Sequence, residues 1–182
     1  DDVLSSVGTP SAGGKKFICS AYDASRDKYQ IYDVIKNQSI GGILPLSTCN
    51  DIIAISKSSM TCSPYDASRD KYQVYNFKDS TVFGGIVPLS SCKRILAKTT
   101  SLFTCSPYDS DRDKYQIYNL KSNTTLGGIL SLSTCENIIE KSNNGLTCTA
   151  YDSDRDKYQL YSLANDTTIG GILSLSSCLG QL

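Results

Sequence analysis

The sequence predicts an all-β protein of four tandem, disulfide-stapled repeats, each with three to four short strands, arranged as a string or solenoid; a closed propeller-like ring is the alternative. Two observations carry this expectation. One set of cysteines falls at Cys19, Cys62, Cys105 and Cys148, a second at Cys49, Cys92, Cys135 and Cys178, and every step in both sets is 43 residues. Each repeat also carries the block C-[ST]-[AP]-Y-D-[AS]-[SD]-R-D-K-Y-Q-[IVL]-Y, followed by a polar stretch and then G-G-I-[LV]-[PS]-L-S-[ST]-C. A fixed period of this length is the mark of a repeat architecture. It divides the chain into an N-terminal segment, 1–16, and repeats at 17–60, 61–103, 104–146 and 147–182.

Repeat three shows the elements in order. Phe103-Thr104-Cys105-Ser106 and Lys114-Tyr115-Gln116-Ile117-Tyr118 are rich in aromatic and β-branched residues, with the turn composition Asp109-Ser110-Asp111-Arg112-Asp113 between them. That pattern reads as a β-hairpin. Leu126 to Ser133 then opens on Gly127-Gly128 and alternates apolar and polar residues, which predicts a third strand with a glycine bend or bulge at its start. Pro45 and Pro88 take the place of Ser131 in the first two repeats, which argues for a strand edge. Twelve-residue linkers follow, each with one apolar pair, Ile52-Ile53, Ile95-Leu96 or Ile138-Ile139. A short helical turn and a fourth strand fit such a linker equally.

A unit of 43 residues is near the size at which a core needs staples or neighbours. Two disulfide frameworks fit the spacing. The favoured one closes within each repeat, Cys19–Cys49, Cys62–Cys92, Cys105–Cys135 and Cys148–Cys178, because duplication copies a self-sufficient unit. The other spans the linkers and joins Cys19 to Cys178. Spacing alone does not choose between them.

Paired cysteines imply an oxidising compartment. The start at Asp1 is what a mature product of signal-peptide removal would show, and sequons at Asn37, Asn123 and Asn165 recur on one polar loop. The expected location is therefore extracellular, secreted or at the cell surface. With 18 basic and 18 acidic residues the formal net charge is zero, which provides no electrostatic footprint for nucleic acid. No run of about 18 apolar residues is present to insert as a membrane helix. The chain has no histidine, which removes imidazole-based triads and His-ligated zinc. With all eight cysteines in register and no single cleft implied, no catalytic residue and no enzymatic activity are expected.

The ends suggest assembly. Asp1-Asp2-Val3-Leu4 resembles Asn50-Asp51-Ile52-Ile53, the start of a linker, whereas the fourth repeat runs only four residues past Cys178. Val3 and Leu4 of one molecule are thus candidates to fill the linker slot after the fourth repeat of the next, a head-to-tail homo-oligomer. Packing back on the same chain is the alternative.

The charged block is the candidate ligand-binding or inter-repeat surface: Tyr22, Asp23, Arg26, Asp27 and Lys28; Tyr65, Asp66, Arg69, Asp70 and Lys71; Tyr108, Asp109, Arg112, Asp113 and Lys114; Tyr151, Asp152, Arg155, Asp156 and Lys157. Three readings compete. In the first, Asp caps a hairpin turn and pairs with Arg. In the second, carboxylates and cationic donors meet sugar hydroxyls beside a tyrosine face, and four copies provide avidity for a glycan. The third is calcium on Asp109-x-Asp111-x-Asp113 and Asp152-x-Asp154-x-Asp156, disfavoured because Ser25 and Ser68 interrupt the pattern and no distal glutamate follows. No cofactor or metal is expected. The sequence points to a self-assembling structural glycoprotein of an extracellular fibre or coat, with a multivalent lectin or adhesin as the alternative.

Overall fold

The computed structural model describes residues 16–182. The proposed contact residues Val3 and Leu4 lie outside them. Each repeat is a three-stranded antiparallel meander followed by one helix. The strands are β1 (Phe17–Asp23), β2 (Lys28–Asp33) and β3 (Gln38–Leu44) in the first repeat, and β4 (Met60–Asp66), β5 (Lys71–Asn76) and β6 (Thr81–Val87) in the second. The third has β7 (Phe103–Asp109), β8 (Lys114–Asn119) and β9 (Thr124–Leu130), and the fourth β10 (Leu146–Asp152), β11 (Lys157–Ser162) and β12 (Thr167–Leu173). The helices are α1 (Leu46–Ile55), α2 (Leu89–Lys98), α3 (Leu132–Lys141) and the shorter α4 (Leu175–Gly180). The chain divides into two compact units, residues 1–96 and 97–182, with the division in the last turn of α2.

The all-β, four-repeat architecture with one staple per repeat is what the structure shows. The disulfides are Cys19–Cys49, Cys62–Cys92, Cys105–Cys135 and Cys148–Cys178, so the linker-spanning framework is not formed. Each joins the first strand of a sheet to the helix that follows the third. A loop of 30 residues closed in this way contributes about 3 to 4 kcal/mol in the chain-entropy picture.

The third strand stops at Leu130 rather than continuing to Ser133, which corrects the expectation for that strand, and of the two readings open for the linkers the helical one forms over their first half. Pro45, expected at a strand edge, sits at the N-cap of α1, where its carbonyl accepts the Cys49 N–H at 3.0 Å. Pro88 stands just before α2, and its carbonyl accepts the Cys92 N–H at 3.1 Å. Proline suits a helix entrance because φ is preset and no N–H is needed there. In α3 and α4 the corresponding Ser131 and Ser174 hydroxyls accept the N–H of Thr134 and Ser177. The apolar pairs lie on the buried faces of the helices: Ile52 and Ile53, Ile95 and Leu96, Ile138 and Ile139.

In the first unit, α1 packs on β1 and β2 and reaches β4, so the helix covers the junction of successive repeats. The Ser56 hydroxyl bonds the Ile52 carbonyl at 2.6 Å and Thr61 Oγ1 at 2.6 Å, joining the end of α1 to β4. Phe17 stacks on Phe77 with ring centroids 4.5 Å apart. Lys36 Nζ donates to the Phe77 carbonyl and the Ser80 hydroxyl, both at 2.6 Å. In the second unit α3 packs on β7 and β8 and reaches β10, and Ser142 bonds Ile138 O and Thr147 Oγ1, both at 2.7 Å.

The seam between repeats depends on one glycine. Gly41 has φ of 73°, and a β-carbon there would lie 2.6 Å from the Pro64 carbonyl oxygen and the Ser63 hydroxyl. Gly127 repeats this, with φ of 73° and the Ala150 backbone 2.9 Å from the same hypothetical atom. Only glycine combines that backbone conformation with so close an approach. The expected bulge is present too: Tyr29 pairs with Leu44 and Ile31 with Ile40, so three residues from Gly41 oppose Gln30 alone.

Candidate functional site

The charged block forms the β1–β2 turn and its equivalents. β1 and β2 stay in register to Ala21 opposite Tyr29 and then slip, so that Asp23 faces Lys28 and Tyr22 is the extra residue. A bulged residue leaves the ladder. That is why Tyr22, Tyr65, Tyr108 and Tyr151 are 63–66% exposed, although tyrosine is otherwise used in these sheets as core, as at Tyr72, Tyr115 and Tyr158.

A single 3₁₀ turn, Ala24–Arg26, then delivers Asp27 in the left-handed conformation at φ 56° and ψ 47°. Asp and Asn tolerate this region better than most non-glycine residues. The Asp27 carboxylate accepts the backbone N–H of Leu46 at 3.0 Å, at the entrance of α1. Asp70, Asp113 and Asp156 bond Leu89, Leu132 and Leu175 in the same way, each at 2.9 Å. An anion there satisfies an otherwise orphan donor and opposes the positive end of the helix.

Asp23, Asp66, Asp109 and Asp152 face the other way, to the Nε of Arg26, Arg69, Arg112 and Arg155 at 3.6 Å. These exposed ion pairs contribute little to stability. Ser25 and Ser68 also donate to Asp23 and Asp66 at 2.7 Å. The Ser68 hydroxyl is the main cause that holds the Asp66 carboxyl below its usual range, with Arg69 adding to it. Asp111 and Asp154 replace these serines in the last two repeats.

The carboxylates of one turn therefore diverge, Asp109 to Arg112 and Asp113 to the Leu132 N–H, and no group of three metal-ligating side chains occurs among the described residues. Lys28 and Lys71 are exposed, and Lys114 and Lys157 are half-buried at the start of their strands. One aspartate of each turn pairs with Arg, as the turn reading expected, and the other bonds a helix N–H that the reading did not include. One tyrosine ring and one ion-paired guanidinium per repeat face solvent, joined in the first two repeats by the exposed Lys28 and Lys71.

In the second unit these groups border a groove of about 510 Å³ between repeats three and four. Arg112, Lys114 and Ser131 line one side, Tyr151, Asp152 and Asp154 the other. A second groove of about 500 Å³, lined by Thr125, Thr149, Gln159 and Asp166, also reaches Tyr151. The Tyr161 hydroxyl donates to Asp166. Burial, together with that carboxylate, pushes the Tyr161 phenol above its ordinary pKa. This second site carries no motif in the sequence beyond the repeat itself.

The sequon asparagines Asn37, Asn123 and Asn165 are exposed in the β2–β3 turn and its equivalents. In a meander these turns lie at the opposite end of the sheet from the charged turns. Asn37 and Asn123 occupy the left-handed region, at φ 55° and 60°.

Fold and site together define a class: tandem-repeat β proteins in which each repeat is a disulfide-stapled meander with a covering helix. No protein-family model matches this chain, and no curated protein matches its sequence. Among solved structures, it is similar to KlHsv2 with loop 6CD replaced by a Gly-Ser linker at TM-score 0.28, and to Kluyvelomyces marxianus Hsv2 at TM-score 0.26. Both are 8% identical, over 86% of this chain and 48% of theirs, so the chain spans about half the length of those proteins. At such values the likeness carries no functional argument. No helix among the described residues is long and apolar enough to cross a membrane.

Proposed function

We propose that this protein is a non-enzymatic, secreted glycoprotein that self-assembles as the structural subunit of an extracellular fibre or surface coat. The observation that supports this most directly is the seam. Gly41 against Pro64 and Gly127 against Ala150 are two instances of one contact, so the first and the third repeats each stack in the same way on the repeat that follows. The four disulfides suit an oxidising, extracellular setting. The aspartates of the charged turns hold helix entrances and ion pairs, which favours scaffold over catalysis. Negative-stain imaging of protein secreted from a eukaryotic host tests the reading. Regular multimers are expected in the absence of any sugar, and discrete single chains at every concentration would sink it.

A second reading, multivalent glycan binding, is favoured by the groove beside Tyr151, where an exposed ring stands among Arg112, Lys114 and Asp152. Retention on immobilised glycans, lost in Tyr151→Ala, is its test.

A further inference from the structure

The last strand of the fourth repeat is bare where β3 and β9, its equivalents in the first and third repeats, are covered. Ile40 and Leu126, in β3 and β9, are 1% and 9% exposed, beneath the first strands of the repeats that follow them. Ile169 in β12 is 43% exposed and Ile172 is 44% exposed. Around Gly41 and Gly127 the next repeat closes to backbone contact, whereas nothing lies within 4 Å of a β-carbon placed on Gly170 or Gly171. Gly170 nevertheless keeps φ of 73°, the same conformation as at the two internal seams. The strand is thus already shaped for a neighbour.

The matching half of the seam is open on the first repeat. Ser63, Thr149 and Ala150 are buried. Their equivalents in β1, Ser20 and Ala21, are half-exposed. Ala21 reproduces Ala150, the residue that faces Gly127, and Ser20 stands where the Ser63 hydroxyl approaches Gly41.

We infer that β12 of one molecule docks on β1 of a second copy of this chain, with Gly170 against Ala21 and Ile169 and Ile172 covered by the incoming strand. The inference rests on the self-assembly reading and names its contact. The occupant is another copy because the surface required is the one this chain builds for itself at Pro64 and Ala150. The contact is heterologous: the two surfaces differ, so each docked molecule offers a fresh β12 and growth continues. Asn37 and Asn123 stay exposed in the turns that lead into β3 and β9, and Asn165 is exposed in the equivalent turn before β12.

The test uses three forms of the full chain, compared by sedimentation velocity and imaging. Ile169→Asp/Ile172→Asp spoils the donor face, Ser20→Arg spoils the acceptor face, and retained disulfides and circular dichroism report that each folds. Wild-type protein is expected to form multimers that lengthen with concentration, and each variant alone to remain a single chain. Mixed together, the two variants each retain one intact face and are expected to stop at pairs of 19.8 kDa chains. Wild-type multimers matched by both variants would overturn this contact and leave self-assembly standing through another surface. A wild-type chain that is monomeric throughout would overturn both. Loss of multimers on deleting residues 1–15, with the point variants still assembling, would make that segment the occupant and overturn the inference.

Discussion

The Asp27 carboxylate accepts the backbone N–H of Leu46 at 3.0 Å, so the turn that opens a repeat also starts the helix that closes it. The same bond joins Asp113 to Leu132 at 2.9 Å. Replacing Asp113 with Ala removes the acceptor and places a less tolerant residue in the left-handed region. The expected loss is about 2 kcal/mol, roughly 1 from the cap and 1 from the backbone. Asp113→Asn keeps an acceptor and tolerates the conformation, so it should lose less than about 1 kcal/mol. Urea unfolding midpoints measure both, and equal losses would count against the cap.

Gly127 and Gly170 form a natural control pair, since φ is 73° at both and only Gly127 has a backbone 2.9 Å away. Gly170→Ala should cost about 1 kcal/mol, for conformation alone. Gly127→Ala should add about 1 to 3 kcal/mol for overpacking. Denaturation at concentrations too low for assembly compares them, and indistinguishable variants would show that the seam yields freely.

The hairpin, the bulge glycine and the disulfide period are legible in the sequence because each is local. The helix is not. Leu130-Ser131-Leu132-Ser133 is an apolar–polar alternation that suits a strand, and what turns the chain helical from Leu132 is an acceptor on Asp113, 19 residues earlier, and a bond from Cys135 to Cys105. Both are tertiary. The glycine bend is visible as a bend, but not as a seam, because Ala150 lies in the next repeat. The bare face of β12 leaves no trace at all: Thr167–Leu173 reads TTIGGIL, almost the same string as TTLGGIL in β9. The charged block is legible as a turn, but the partner of Asp113, the Leu132 N–H, is not, because it lies 19 residues further on.

The Cys148–Cys178 bridge should matter most to local stability, because the sheet it staples has an uncovered edge element in β12. Replacing both cysteines with serine is expected to cost about 3 to 4 kcal/mol. Hydrogen exchange should show protection lost first in β10–β12, with β7–β9 less affected. Uniform loss across both repeats would mean that repeats three and four unfold as one.

Alkaline pH should weaken the fold. Burial is the leading cause that raises the phenol pKa of Tyr72, Tyr158 and Tyr161, with nearby aspartates adding to it. A raised folded-state pKa means that the stabilising contribution is complete below the unfolded value of about 10 and is lost as pH climbs through the folded value. Stability should therefore fall above about pH 10, with phenolate absorbance appearing later than in unfolded chain. Tyr161→Phe should flatten part of that fall, and an unchanged profile would remove Tyr161 from the account.

Secretory expression should attach N-glycans at Asn37, Asn123 and Asn165, all exposed and away from the charged turns. Enzymatic deglycosylation should lower the mass by three glycans. The triple Asn→Gln chain should retain its assembly and its thermal midpoint within about 0.5 kcal/mol, as for surface substitutions.

The position of the staples also sets how the chain responds to pulling. Tension entering at Cys19 passes through the sulfurs to Cys49 and bypasses the sheet, so the 29 residues between them cannot be drawn out while the bridge is intact. Only the stretch from Cys49 to Cys62 can lengthen, and at about 3.3–3.6 Å per extended residue it pays out a few nanometres and no more. Three such tethers of equal length join the four repeats, which caps the extension of the array in oxidising surroundings and lifts that cap once the bridges are reduced.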